Sequence, residues 1–510
     1  MFKLGFDAPF IRACVDGANT PAHLGFPRWV SQSALLTDPA GKIGSLRGLR
    51  PSFSALLFGG LLVAGISGCA PMQSVETAKV DAAVAPASNK MQVSLPDWQS
   101  FFPDAQLKAL IQSALSNNRD LRVAAARIAE TRAQYGIVRA DRFPSVDLNV
   151  GGTRSSTPGS VSPSGNRFDL TKGEVGFSLP SYELDLWGRI SSLNEAALAT
   201  FLASESNAKA VQLSLIGDIA NNYYQLLELE DRAKQLAATK DNRAEWLSLV
   251  EKRVEVGLAN DADRLQAQAV VDGLVRDLAD LKRQHSLVQN SLSVLVGVPM
   301  NSLKLPEGLS LRQQADSQTL RTDTPSLRLL QRPDVQAAEL RLKAAEANVE
   351  AARAAFFPRI SLTANYGTAS NELNGLFANN SESWSFVPQI TLPIFNSGRT
   401  QANLDVNAAR QVSAVAEYEK TLQNAFREVA DALVNRTGYD VQIVSQQAVL
   451  TSQKERLRVA ELRYQRGLVG YIDVLDAQRD YQAAEQLLVS LVRAQKVAEV
   501  AVFKALGGGA

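Results

Sequence analysis

The side chains that could do covalent chemistry are few and poorly placed for it. His23, His285, Cys14 and Cys69 are the full set of histidines and cysteines in a 510-residue chain, and they are widely separated. They cannot supply a zinc set or a Cys/His nucleophile pair. No GxxxxGK[ST], GxSxG or HExxH run is present. No enzyme activity, metal or cofactor is therefore expected. What remains are carboxylates in a pattern. Asp473 and Asp476 follow the break Gly467-Leu468, and Asp263 follows the matching break Gly257-Leu258. A spacing of three puts Asp473 and Asp476 on one helix face. Such acids are either solvated residues favoured by a helix N-terminus or, repeated about an axis, rings that favour cations and hinder anions. The spacing leaves both readings open.

Cys69 carries the second kind of chemistry. Lys42, Arg47 and Arg50 precede an apolar run from Phe53 to Ile66, and Ser67-Gly68-Cys69 follows. A basic stretch, a short apolar core and small residues before a cut make a secretory signal. The run is shorter than the roughly 20 residues that a spanning helix needs. Ile66-Ser67-Gly68-Cys69 resembles a bacterial lipobox, whose cysteine becomes the acylated first residue. Ala70 in the next position favours delivery to the outer membrane. Acyl chains contribute about 0.8 kcal/mol per buried methylene, so a multiply acylated Cys69 would anchor the chain. Residues 1–41 match neither signal nor domain, as expected of a start placed upstream of the true one.

Charge is balanced, with 53 basic and 52 acidic residues, which argues against a nucleic-acid partner. The strongest organising signal is an internal repeat. Arg253–Gln268 and Arg463–Gln478 both fit RxxxGLxxxxDxLxAQ at an offset of 210. Asp120–Pro144 aligns with Asp334–Pro358, and Leu179-Pro180…Gly188-Arg189 aligns with Leu392-Pro393…Gly398-Arg399, the first copy holding three extra residues. The chain thus divides into a leader and signal (1–68), a lipidated linker (69–96), a first copy (97–298), a linker (299–330) and a second copy (331–510).

Each copy reads as helix, Phe-Pro turn, strand, polar loop, strand, Leu-Pro turn, long helix, Gly-Leu break and helix. Helical patterning without proline runs from about Trp187 to Val256 and from about Arg399 to Arg466, a length of about 100 Å at 1.5 Å per residue. The chain then turns back into Asp263–Leu295 and Asp473–Leu506, giving two antiparallel hairpins. Period-two alternation after Pro144 and Pro358, and in the return strands at Val175–Leu179 and Trp384–Leu392, fits strands with one polar face. It suits a membrane barrel as well as a small soluble sandwich. The aromatics at the strand–helix junctions (Phe143, Tyr182, Trp187, Phe356, Phe357 and Phe395) fit an interfacial belt or a core. About four strands per chain cannot close a membrane barrel, which needs at least eight, and open edges cannot face lipid. Several chains must share one barrel.

The ordered set FPDAQLKALIQSALSNNRDLRVAAARI, ELDLWGR (Glu183 to Arg189), LLQRPDV (Leu329 to Val335), FFP, LPIFNSGR and the two GL…D…L.AQ segments resembles the outer-membrane efflux factor family: TolC-like, OprM-like proteins of the NodT-type lipoprotein branch. The resemblance covers residues 97 to 508. It implies a mainly α chain with a membrane β-barrel portion, in which a trimer builds a twelve-stranded β-barrel continuous with a long α-helical barrel, and an equatorial girdle at about Pro299–Leu330. It also implies a periplasmic adaptor and an inner-membrane pump of RND type as partners. The function implied is an outer-membrane exit duct for drugs or other toxic small molecules. In the family, aspartates near the periplasmic tip line the entrance, which transfers to Asp473, Asp476 and Asp263. Where some relatives place a basic locking residue, this chain has Val469 and Gly470, so closure is expected from packing and hydrogen bonds around Leu468 and Tyr471. The rival reading, a lipid-anchored structural or adhesive coiled coil, would need sustained heptads, and the paired hairpins count against it.

Overall fold

The computed structural model describes residues 97–163, 165–314 and 326–508. The signal, Cys69 and part of the 299–330 linker lie outside them. Eight helices are described: α1 Trp98–Phe101, α2 Ala105–Asn117, α3 Arg119–Ala140, α4 Arg189–Glu255, α5 Asp261–Val296, α6 Pro333–Ala354, α7 Arg399–Gln465 and α8 Tyr471–Ala505. The four strands are β1 Asp147–Thr157, β2 Phe168–Leu184, β3 Arg359–Ser370 and β4 Glu382–Thr391. No described helix is long and apolar enough to cross a membrane.

The long helices α4 and α7 each hold 67 residues, which is about 100 Å. They end alike. Gly257 and Gly467 take φ of 70° and 73°, the left-handed conformation that only glycine adopts freely. Leu258 and Leu468 then donate to the carbonyls of Arg253 and Arg463 at 2.7 and 2.9 Å, while Gly257 and Gly467 donate to Val254 and Tyr464. This six-to-one plus five-to-two pattern is the Schellman stop. The returning helices start differently. Asn260 accepts from the Asp263 amide at 2.8 Å and caps α5, whereas Gly470 leaves α8 without a side-chain cap. The two helices nevertheless begin at equivalent residues, Asp261 and Tyr471, two residues earlier than the repeat alignment suggests.

The helices lie side by side. In the half nearer the sheet the order across the chain is α3, α4, α6, α7; in the half nearer the tips it is α5, α4, α8, α7. Helix α4 is flanked on both sides at both levels and buries residues along its length, but α7 buries only Ala425 and Ala432. Helix α3, at the other edge, buries none. Two flanks of the layer are open.

The two halves meet at equivalent staples. Asn118 caps α3 by accepting from the amides of Asp120 and Leu121, and its own amide donates to Leu295 O at 2.7 Å. In the second copy Arg332 donates to Ala505 O at 2.9 Å, forks onto Asp334 at 3.0 and 2.7 Å and reaches Glu428 at 2.8 Å. Leu295 and Ala505 stand 210 residues apart, the offset of the repeat. Beside the first staple the main core joins α1, α2, α4, α5 and α8, with Phe101 stacked on Phe503 at 4.4 Å. Buried Asp104 ties the linker to it, accepting from Gln106 N (2.8 Å), Tyr223 Oη (2.7 Å), Gln314 Nε2 (2.6 Å) and Leu309 N (3.2 Å).

The strands form one antiparallel sheet in the order β1-β2-β3-β4, longer than their alternation indicates because β1 and β2 continue into the Ser/Gly-rich segment. Register sorts its faces. Leu148, Phe177, Tyr366 and Trp384 pair in one row across all four strands, and the row of Asp147, Ser178, Asn365 and Ser385 lies on the opposite face. Neighbouring polar side chains bond along that second face: Asn149 donates to Ser178, and Asn365 to Ser385 at 3.1 Å. The two copies join at β2–β3, where Gly176 faces Gly367. A β-carbon on Gly367 would sit 2.2 Å from Val175 O and 2.4 Å from Gly176 Cα. Gly367→Val should therefore abolish the heat-sensitive mobility shift of a folded barrel on a gel.

At the second staple, burial pushes the Asp334 carboxyl up, but the hydrogen bonds and charge of Arg332 and the Val335 amide leave it below its usual range. A lowered carboxylate contributes stability that is present above its unfolded pKa of about 4 and lost as pH falls through the folded value. Asp334→Asn should make acid unfolding, followed by tryptophan fluorescence, less steep in that range.

Candidate functional site

The tips of the two hairpins gather the residues that spacing singled out. Asp473 is exposed and Asp476 half-buried, both in the first two turns of α8. Arg479 follows at the next turn and lies 3.5 Å from Asp476 and 3.7 Å from Asp480. Asp263 is half-buried, its amide held by the Asn260 cap. Asp263 thus sits at the start of the first hairpin's return helix and the Asp473/Asp476 pair at the start of the second's. No group of three or more potential metal-ligating side chains is found among the described residues.

Tyr471 and Leu468 part company. Leu468 is exposed, while Tyr471 is buried in a small cluster with Val474 and Ala267, against Trp246, Tyr464 and Leu457. Its ring lies 5.5 Å from Tyr464 and 6.2 Å from Trp246, and Trp246 and Tyr464 are 5.7 Å apart. Arg253 lies over the Tyr464 ring at 5.6 Å, a distance suited to cation–π attraction. This cluster fastens α4 of the first copy to α7 and α8 of the second.

Arg243 completes the contact, and no motif marks it in the sequence. It is 3% exposed on α4, 3.5 Å from Glu461 of α7. Tyr471 lies near enough to its guanidinium to influence its titration. Burial lowers the Arg243 pKa, against the opposing pull of Tyr471 and Glu461. Burial also raises that of Tyr471, with Arg243 opposing. Two guanidinium nitrogens, Nε and Nη1, have no hydrogen-bond partner. A buried cation with donors to spare is costly, so this contact is held by its surroundings rather than by its own strength. The lone signal in the sequence is that Arg243 and Trp246 lie three apart on one face of α4.

An open-edged sheet with one apolar face, joined to helices of about 100 Å that end in acid-bearing tips, defines a channel protomer that runs from a membrane into an aqueous space. The sequence profile of the outer membrane efflux protein family matches residues 110–298 and 324–508, one match per repeat. The chain belongs to that family and is an outer-membrane exit duct of the tripartite efflux type, extending into the periplasm. It is 39% identical over 467 residues to the toluene efflux pump outer membrane protein TtgI of Pseudomonas putida, covering 90% of this chain and 97% of that one. It is 40% identical over 415 residues to the cation efflux system protein CusC of Escherichia coli, covering 81% and 88%. The structure of the MtrE outer membrane channel of Neisseria gonorrhoeae in its open state superposes with a TM-score of 0.74 at 36% identity, covering 81% and 91%. The architecture is that of outer-membrane efflux channels, in which a helical barrel joins a β-barrel.

Tyr471→Phe keeps the stacked rings and loses only the hydroxyl, at a cost of at most about 1 kcal/mol. Tyr471→Ala also empties the cluster, at a cost of about 3–5 kcal/mol. Limited proteolysis near Gly467 should be faster in the order Ala, Phe, wild type.

Proposed function

We propose that three copies of this chain close into one duct, that the hairpin tips form its periplasmic gate, and that it passes toxic small molecules to the exterior. The observation that carries the ring is the pair of open edges: β1 and β4 each have a neighbour on one side only, and α3 and α7 bury almost nothing. Three copies supply twelve strands and a ring of six similar hairpin units. The apolar row through Leu148 and Trp384 then faces lipid, and the polar row through Asp147 and Ser385 faces the lumen.

About a threefold axis, Asp473, Asp476 and Asp263 become carboxylate rings at the constricted end. Their field favours cations and disfavours anions, and Arg479 beside Asp476 moderates it. Leu468 lies exposed at the tip, where it meets its symmetry mates. Tyr471, held by Arg243, fixes the second hairpin against the first. With no basic residue at Val469 or Gly470, the closed tip is held by this packing. Lipidation at Cys69 anchors each copy, the 299–330 segment forms the equatorial girdle, and a periplasmic adaptor with an inner-membrane pump of RND type delivers the cargo. The relatives are named for toluene and for cations. Small organic toxicants are the cargo proposed here.

The test is a deletion strain. Loss of the gene should raise susceptibility to organic solvents or lipophilic antibiotics, with rescue by the wild type. In planar bilayers, Asp473→Ala together with Asp476→Ala should weaken cation preference or change single-channel conductance. Unchanged values in both would remove the acidic rings from the mechanism.

A further inference from the structure

Ile394 and Phe395, where the chain leaves β4 for α7, are 85% and 88% exposed. The equivalent point in the first copy shows what such a junction does. There Trp187 stacks on Phe357 at 5.0 Å, and its Nε1 donates to Pro358 O at 2.8 Å. Glu183 and Arg189 brace the turn with a forked pair at 2.8 and 2.7 Å, and Asp185 accepts from the Ile190 and Ser191 amides. The junction of the first copy thus grips the Phe-Pro turn of the second, at the seam where β2 meets β3. The second copy's junction finds no such turn beyond it within the described residues. The first copy's turn is held by its own sheet at the Arg142 carbonyl, which accepts from Tyr182 Oη at 3.3 Å; Phe143, which aligns with Phe357, is 63% exposed.

The unmatched halves lie on opposite flanks of one chain, each continuous with an open edge: β4 and α7 on one side, β1, α3 and α5 on the other. A lipid or detergent coat satisfies neither free edge, because the outer backbone groups of β1 and β4 need a partner strand, so the cover that both flanks call for is a second copy.

We infer that Ile394 and Phe395 of one copy seat on the Arg142–Pro144 turn of the adjacent copy, Phe395 against Phe143, as the between-chain counterpart of Trp187 on Phe357. The inference rests on the ring proposed above and adds the contact that sets where barrel and helices join from chain to chain. The second copy's turn is three residues shorter and has no tryptophan, so Phe395 supplies the aromatic surface. It also has no counterpart of the Glu183–Arg189 brace, so it takes its shape from the neighbour.

The test uses the full-length chain in native membranes. Phe143→Cys and Phe395→Cys, expressed on separate copies in one cell, should give a disulfide-linked dimer after oxidation, reversed by reductant. Either variant alone, and the wild type, should not. Trimers on a native gel without linked dimers on a denaturing gel would overturn the contact and leave the ring standing. Monomers on both gels would overturn the ring and the contact together. As a second measurement, Phe395→Ala should lower the temperature at which the detergent-extracted trimer separates, while Leu373→Ala, equally exposed at a loop tip, should not. An unchanged temperature for Phe395→Ala would place that ring against lipid instead and overturn the inference.

Discussion

An unpaired row of backbone amides and carbonyls cannot face lipid, and nearly everything in this chain follows from that constraint. The sheet has an apolar face and two free edges, so it is not a finished object. A soluble protein would blunt such edges with charges, bulges or a covering helix. Here β1 and β4 run their full length in the open. The helices below repeat the condition, with α4 enclosed and α3 and α7 bare on their outer sides. The protomer is one segment of a wall, and its apparent defects are its joints.

Duplication is how a single chain comes to have one joint already made. The β2–β3 seam, the α4–α6 contact and the grip of Trp187 on Phe357 show what joining two units requires: a close-packed glycine pair in the sheet, small residues between helices, and an aromatic clasp at the bend. The equatorial staples show the same economy. Asn118 and Arg332 are chemically unlike, yet each fastens the start of a middle helix to the end of its copy's last helix. The longer Arg332 also reaches Glu428 of α7, so the second staple reaches a further helix.

The copies diverge most clearly at their tips. Both hairpins end in the same Schellman stop, but the first restarts from the Asn260 cap and the second from uncapped Gly470. Tyr471 occupies the place of Asp261 and turns inward, and Asp476 occupies that of Gln266. Tyr471 of the second copy packs against Trp246 and Ala267 of the first, so the unequal tips meet across the boundary between the copies.

Much of this was written in local sequence. The helix lengths follow from uninterrupted patterning, the stops from Gly257 and Gly467, the strands from period-two alternation, and the two-copy plan from the offset of 210. Each depends on residues near one another along the chain, or on matching a pattern to itself. Helix α5 starts two residues before the repeat's aspartate because a single side chain, Asn260, caps it there; α8 starts at the equivalent residue without such a cap. Strand ends were short because backbone pairing carries β1 and β2 through serines and glycines that no alternation marks. The fate of the aromatics was not legible: Trp187 stacks on a residue 170 positions away, while Phe395, identical in kind to Phe357, stands free. Arg243 was silent for the same reason. Its role depends on Glu461 and Tyr471, more than 200 residues distant, and burial of a cation is a property of the neighbours that folding brings to it. Sequence determined the elements and their repetition; only the tertiary structure decided which side chains are enclosed, because enclosure comes from contacts between elements far apart along the chain.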